Sequence, residues 1–128
     1  MIVADTDVLI DYLAGVQPVA RQVLGYVETE RLKITAITVF ELLSGASEGR
    51  RGEMIRKLAG ALDVLPLDRP ASERAAAVRR TLEQRGQPIG MGDSLIAGIA
   101  LAGGFPLFTR NRKHFERVPG LELVQAAE

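Results

Sequence analysis

The chain has 128 residues, 47% hydrophobic and 25% charged, a size and balance that fit one ordinary folded core and exclude disordered or fibrous architectures. Sixteen basic residues balance sixteen acidic ones, so no global field draws the chain to nucleic acid or membrane, and any such affinity must be local. Cys is absent, which removes disulfides, thiolate metal sites and Cys nucleophiles together, while the lack of Trp and an aromatic content of 5% argue against a base-stacking platform.

The first segment, "MIVADTDVLIDYLAG", reads as a short buried strand over Ile2 to Ala4 followed by a helix, because Val8, Leu9, Tyr12, Leu13 and Val16 recur at helical spacing. Pro18 can open a second helix with the apolar face Val19, Ala20, Val23, Leu24 and Val27. "LKITAITVFELLSGA" predicts a β-branched strand around Ile34, a turn near Thr38 and a helix closing near Gly45. Met54, Ile55, Leu58 and Leu62 mark another amphipathic helix, and "DVLPLD" a short strand. Ala71, Ala75, Val78 and Leu82 belong to a long helix ended by Gly86 and Pro88. "GDSLIAGIALAGG" begins a helix after the glycines at 90 and 92 that is apolar nearly all round and so should be buried. "FPLFTRN" and "LELVQ" supply two last short strands. Strands alternating with helices predict one three-layer α/β/α domain over residues 1–128, with a short, mostly parallel central sheet. No apolar run approaches the ~18 to 20 residues that span a bilayer, and no basic leader precedes one, so a cytoplasmic location is the default expectation.

Three acids occupy the same kind of place: Asp5 after the first strand, Glu41 just inside a helix that follows a strand, and Asp93 opening the buried helix. Parallel strands point their carboxyl ends one way, so Asp5 and Glu41 should converge on one rim, where Asp93 can join them. Carboxylates gathered in one pocket repel one another, an arrangement that makes physical sense when a hard divalent cation such as Mg²⁺ or Mn²⁺ neutralises it. Each acid also has a structural alternative. "TVFE" satisfies capping-box spacing from Thr38 to Glu41, Asp93 can be an N-cap, and Asp7 stands beside Asp5 as a second available cap.

"MIVADTDVLIDYL", "ITVFELLSG", "PIGMGDSLIAGIAL" and "PLFTRNRKHF", in this order and spacing, resemble the PIN-domain nucleases, most closely the VapC-type ribonuclease toxins of toxin–antitoxin pairs. The resemblance covers nearly the whole chain. It implies a PIN-like fold and a Mg²⁺- or Mn²⁺-dependent endoribonuclease that cleaves RNA by metal-activated water, with Asp5, Glu41 and Asp93 around the metal. Asp5 and Asp93 are the expected principal ligands, and Glu41 a ligand or an orienter of the water. Relatives often carry Asn at the position of Asp7, so this chain has an additional carboxylate. Relatives also commonly place a fourth acid at the position of Asn111 or His114, and neither is acidic here, which leaves one or two metal ions open. Asn111 can still offer a carbonyl oxygen, and Thr6 and Thr109 their hydroxyls to substrate. His114 is not assigned as a base. Arg110, Arg112 and Lys113, with Arg117, form a basic run beside the expected site that can hold RNA phosphates; Arg50 and Arg51 are weaker candidates of the same kind. The resemblance further implies a homodimer and a small VapB-like antitoxin that blocks the site.

Two rivals stand against this. A catalytically inactive PIN-like module that binds RNA or protein is kept alive by the missing fourth acid. A receiver domain would need a phosphoacceptor Asp after a central strand and a Lys after a late one, and neither is evident. A P-loop enzyme is excluded by the absence of a glycine-rich loop with Lys and Ser or Thr.

Overall fold

The computed structural model describes residues 1–128. Strands β1 (Ile2–Ala4), β2 (Leu32–Thr35), β3 (Asp63–Leu65) and β4 (Leu107–Phe108) form one sheet in the order β3-β2-β1-β4. Every pairing is parallel, so the sheet is wholly rather than mostly parallel. The expected last strand in "LELVQ" is reduced to a single parallel bridge, Leu107 to Leu123. The physical reason is that β4 is only two residues long and offers no further ladder to pair with.

Seven helices connect and cover the strands: α1 (Thr6–Ala14), α2 (Val19–Glu28), α3 (Ala36–Ser44), α4 (Arg50–Ala61), α5 (Arg69–Gln84), α6 (Met91–Gly103) and α7 (Arg112–Phe115). No helix is long and apolar enough to cross a membrane. The period of two in a strand sorts the core into two layers. Ile2, Ala4, Ile34 and Phe108 pack with Val8, Leu9, Val23, Leu42 and Ile55 from the first four helices. Val3 and Leu107, which point the other way, pack with Val78, Leu82, Ile96, Ala97 and Phe115. Each fully buried aliphatic or Phe side chain contributes roughly 1.5 to 3 kcal/mol, so these two layers hold the sheet between them.

The long helix follows its expected apolar stripe, with Ala71, Ala75, Val78 and Leu82 all buried. Its small residues matter for the site. Gly98 of α6 faces Ala75 of α5 so closely that an added Cβ would sit 2.5 Å from the Ala75 backbone nitrogen. The close approach seats α6 on α5, while Ile96, Ala97 and Ala100 of α6 pack in the layer that holds Val3 and Leu107 of the sheet.

Three helix starts bear on the capping alternatives. The N-cap of α1 is Asp5 itself, accepting from the Thr6 N–H, and Asp7 lies inside the first turn. Helix α3 begins at Ala36 with Thr35 as its cap, accepting from the Thr38 N–H at 3.1 Å. Glu41 is therefore the sixth helical residue, too far along to close a capping box with Thr38. Helix α6 begins at Met91 with Gly90 as cap, so Asp93 is its third residue rather than its cap. Thr35 takes the cap of α3 and Gly90 the cap position of α6, the latter with no side-chain bond, so neither Glu41 nor Asp93 is the N-cap of its helix.

Candidate active site

Asp5 owes its position to the end of β1. Its N–H still bonds the Phe108 carbonyl at 2.9 Å and its backbone is extended, so strand alternation continues and places its side chain on the face shared with Val3. Thr109 extends β4 in the same way past Leu107. The β1 and β4 ends lie where strand order reverses, the place at which open parallel sheets form a crevice. There the Thr109 hydroxyl donates to Asp5 Oδ2 at 2.7 Å, and the Thr6 N–H donates to Asp5 Oδ1 at 2.8 Å.

Asp5 is only 6% exposed, and no Lys or Arg pairs with it. Burial pushes its carboxyl up to about 7, the nearby Asp7 and Asp93 charges push the same way, and the hydrogen bonds from Thr109 and Thr6 oppose them. Asp7 is also raised, chiefly by burial, with the Arg110 N–H and guanidinium opposing. That N–H reaches Asp7 Oδ2 at 3.1 Å and Oδ1 at 3.3 Å. Thr109 Oγ1 lies 3.4 Å from Asp7 Oδ2 as well, but one hydroxyl proton serves the shorter contact to Asp5.

A more exposed group of side chains adjoins this buried pair. The Thr6 hydroxyl donates to Glu41 Oε1 at 2.7 Å and lies 3.1 Å from the Thr38 hydroxyl, which joins α1 to α3. The start of α6 adjoins the same carboxylate, since a Cβ on Gly92 would lie in ordinary contact, 3.9 Å, with Glu41 Oε2. On the other side the Asn111 amide nitrogen stands 3.5 Å from Asp93 Oδ2 and 2.9 Å from His114 Nδ1, and that ring nitrogen is itself 3.5 Å from Asp93 Oδ2. Asn111 caps α7 without a side-chain bond to the helix backbone, so its amide is free for these side-chain contacts. Its own N–H donates to Thr109 Oγ1 at 3.0 Å.

Asp5, Glu41, Asp93, Asn111, Thr6 and Thr109 thus stand in one chain of contacts. The basic residues expected to hold RNA are placed less uniformly. Arg110 Nε lies 2.7 Å from Asp11 Oδ2, and Arg112 donates to the Val124 carbonyl at 2.9 Å and lies 3.6 Å from Glu116. Arg117 Nη1 reaches the Pro88 carbonyl at 3.3 Å. Lys113 is exposed and unpaired. Arg50 and Arg51 belong to the first turn of α4. Sequence reasoning passed over Asp11 and the contact of His114 with Asp93, and read Thr38 only as a turn and cap residue. Asp11 carried a signal, a charge four residues after Asp7 on the apolar helix "DVLIDYL".

Chemically, the cluster offers carboxylate, amide and hydroxyl oxygens, the donors a hard cation takes. No three Asp, Glu or His side chains are already closed into a cage. A Mg²⁺-like ion usually takes one or two carboxylates and keeps several waters, so it does not require such a cage. A buried Asp5 beside two other acids and without a basic partner lacks the counter-charge such an ion brings.

The PIN domain family model matches residues 2–121. A VapC ribonuclease of Sinorhizobium fredii is 36% identical over 100% of this chain and 99% of its own length. The tRNA(fMet)-specific endonuclease VapC of Salmonella typhimurium is 33% identical over 74% of this chain and 75% of its own. Among solved structures, a DNA-bound VapBC from Salmonella typhimurium superposes with a TM-score of 0.83 at 29% identity, covering 96% of each chain. VapBC2 from Rickettsia felis, bound to a DNA fragment from its promoter, gives 0.83 at 25% identity over 99% of this chain and 100% of that one. With its acids gathered at the crevice of an all-parallel sheet and this likeness running along its whole length, the chain belongs to the PIN-domain family, among the VapC ribonucleases.

Proposed function

We propose that this protein is a divalent-metal-dependent endoribonuclease and the toxin half of a toxin–antitoxin pair. The observation that carries the reading is Asp5, buried at the carboxyl end of β1 against Asp7 and Asp93 with no Lys or Arg beside it. Asp5 and Asp93 would hold Mg²⁺ or Mn²⁺, with Glu41 at the open side of the site. When bound, the ion supplies Lewis acidity, activating water and offsetting the charge that grows on the phosphate. The chain's own groups do the positioning. Thr109 and the Thr6 N–H fix both oxygens of Asp5, so that carboxylate cannot rotate away. Thr6 fixes Glu41 Oε1 and leaves Oε2 free to orient water or a ribose hydroxyl. The Asn111 amide faces Asp93 at 3.5 Å, the limit of hydrogen-bond reach, and can steady that carboxylate from one side. Lys113, exposed on α7, can contribute charge to the RNA backbone.

The relatives named above are called ribonucleases or a tRNA-specific endonuclease, which supports RNA as the substrate class. The solved neighbours named above are VapBC complexes, which supports an antitoxin as partner; a homodimer is proposed on the family resemblance alone. Phe40 and Leu43 on α3 and Met91 at the start of α6 are large apolar side chains left in solvent, which favours a protein partner as well.

The test is cleavage of cellular RNA by the purified chain, with end-mapping of the products. A chelator should abolish cleavage and Mg²⁺ or Mn²⁺ should restore it; full cleavage in metal-free buffer would sink the metal requirement. Binding of RNA without cleavage at saturating Mn²⁺ would instead favour the inactive binding module. Co-purification with the product of the neighbouring gene, and loss of cleavage in that complex, tests the antitoxin.

A further inference from the structure

Asp11 sits one turn beyond Asp7 on α1, its side chain 9% exposed, while Arg110 is 58% exposed. Two acids four residues apart on a helix repel each other, and no cap or strand explains the second one. Arg110 meets both. Its backbone N–H donates to Asp7 Oδ2 at 3.1 Å, and its guanidinium Nε lies 2.7 Å from Asp11 Oδ2. No hydrogen-bond donor points squarely at that buried Asp11 oxygen, so the guanidinium charge is what compensates it. Either side of Arg110, Thr109 puts its hydroxyl on Asp5 and Asn111 puts its amide by Asp93.

We infer that the Asp11–Arg110 pair is a latch that docks residues 109–111 onto α1 and thereby sets where Thr109 and Asn111 meet Asp5 and Asp93. Arg110 is then a positioning residue and not a ligand of RNA phosphate, contrary to what its place in the basic run suggested. An Arg that swung out to a phosphate would leave Asp11 buried and uncompensated, and an Arg already neutralised by a carboxylate displaces no counterions when RNA binds. The inference rests on reading the neighbouring acids as a ribonuclease centre, and its test separates the two claims.

The variants are Asp11→Asn, Arg110→Gln, the two combined, and Arg110→Lys. Amide hydrogen exchange of residues 109–111 is measured on the metal-free protein, and kcat, KM and the salt dependence of binding are measured with cellular RNA and Mn²⁺. Each single variant should speed exchange in this loop by about tenfold and lower kcat by about tenfold, with KM within about twofold of the parent. The double variant should fall no further than the worse single one, Arg110→Lys should recover most of the loss, and the salt slope should stay at the parent's value. Should Asp11→Asn not fold, Arg110→Gln, whose side chain is half in solvent, carries the same outcomes. The latch is overturned if Arg110→Gln raises KM and flattens the salt slope by about one while loop exchange stays at the parent's rate. Faster loop exchange in a chain that cleaves no RNA would uphold the latch and remove the ribonuclease reading. Unchanged exchange in a chain that does cleave would do the reverse.

Discussion

Asp5 and Glu41 stand on the same rim of the sheet and differ in almost every physical respect. Asp5 is buried, accepts a hydrogen bond on each oxygen and is pushed up to about 7 by burial and by its acidic neighbours. Glu41 is exposed and accepts from Thr6 on one oxygen. The difference comes from their elements: Asp5 ends the central strand between two covering layers, whereas Glu41 lies on the outward side of α3, next to the exposed Phe40. One half of the site is thus rigid and built to hold charge that water cannot reach, and the other is open to solvent and substrate.

The largest expected effect separates these halves directly. Asp5→Asn should lower RNA cleavage by at least about a thousandfold, since several kcal/mol of transition-state stabilisation depend on holding the ion. Glu41→Gln, acting from the open side, should cost about ten- to a hundredfold. Equal losses in single-turnover kinetics would break the comparison.

Next in size is a pH effect on the metal-free protein. A carboxyl raised in the folded state binds more protons there than in the unfolded chain, so its contribution to stability is lost as pH rises from about 4 through about 7. The loss attributable to Asp5 is about 4 kcal/mol at most. Urea unfolding should therefore show Asp5→Asn gaining on the parent between pH 4 and pH 8, from a starting point about 1 kcal/mol lower because Asn accepts only one of the two hydrogen bonds. Mn²⁺ at a hundred times its Kd should return about 2.7 kcal/mol to the parent at pH 8, and less to the variant. A parent whose advantage over the variant grows with pH would refute the assignment.

Removing the two threonine hydroxyls sharpens the same contrast at a smaller scale. Thr109→Val leaves a buried carboxylate oxygen without its donor and should cost about 1 to 3 kcal/mol at pH 8. Thr6→Val, whose partner Glu41 is in solvent, should cost less than about 1 kcal/mol, with the difference read from thermal melts. The smallest effect belongs to Lys113→Ala, which should leave stability within about 0.5 kcal/mol and reduce the salt slope of RNA binding by about one. An unchanged slope would return Lys113 to an ordinary solvated surface.

Element order, the parallel sheet and three of the acids were legible in the residue pattern, because strand and helix periods record which side chains must be buried. The pattern put Asp5 and Glu41 on one rim, since all parallel strands share a direction, whereas Asp93, which follows no strand, was brought to them only by the family resemblance. Helix starts were less legible. Thr38 and Glu41 have the spacing of a capping box, yet Thr35 caps the helix, because α3 begins directly after β2 and spacing alone cannot say where a strand gives way to a helix. Arg110 is the clearest case. In the sequence it is one cation in a basic run, and its partner Asp11 lies 99 residues away, across a contact made only when β4 pairs with β1 and carries its following loop against α1. Periodicity records burial because burial is a property of each side chain and its neighbours in sequence. Which charge meets which depends on through-space distance, and that is set only once the strands have paired.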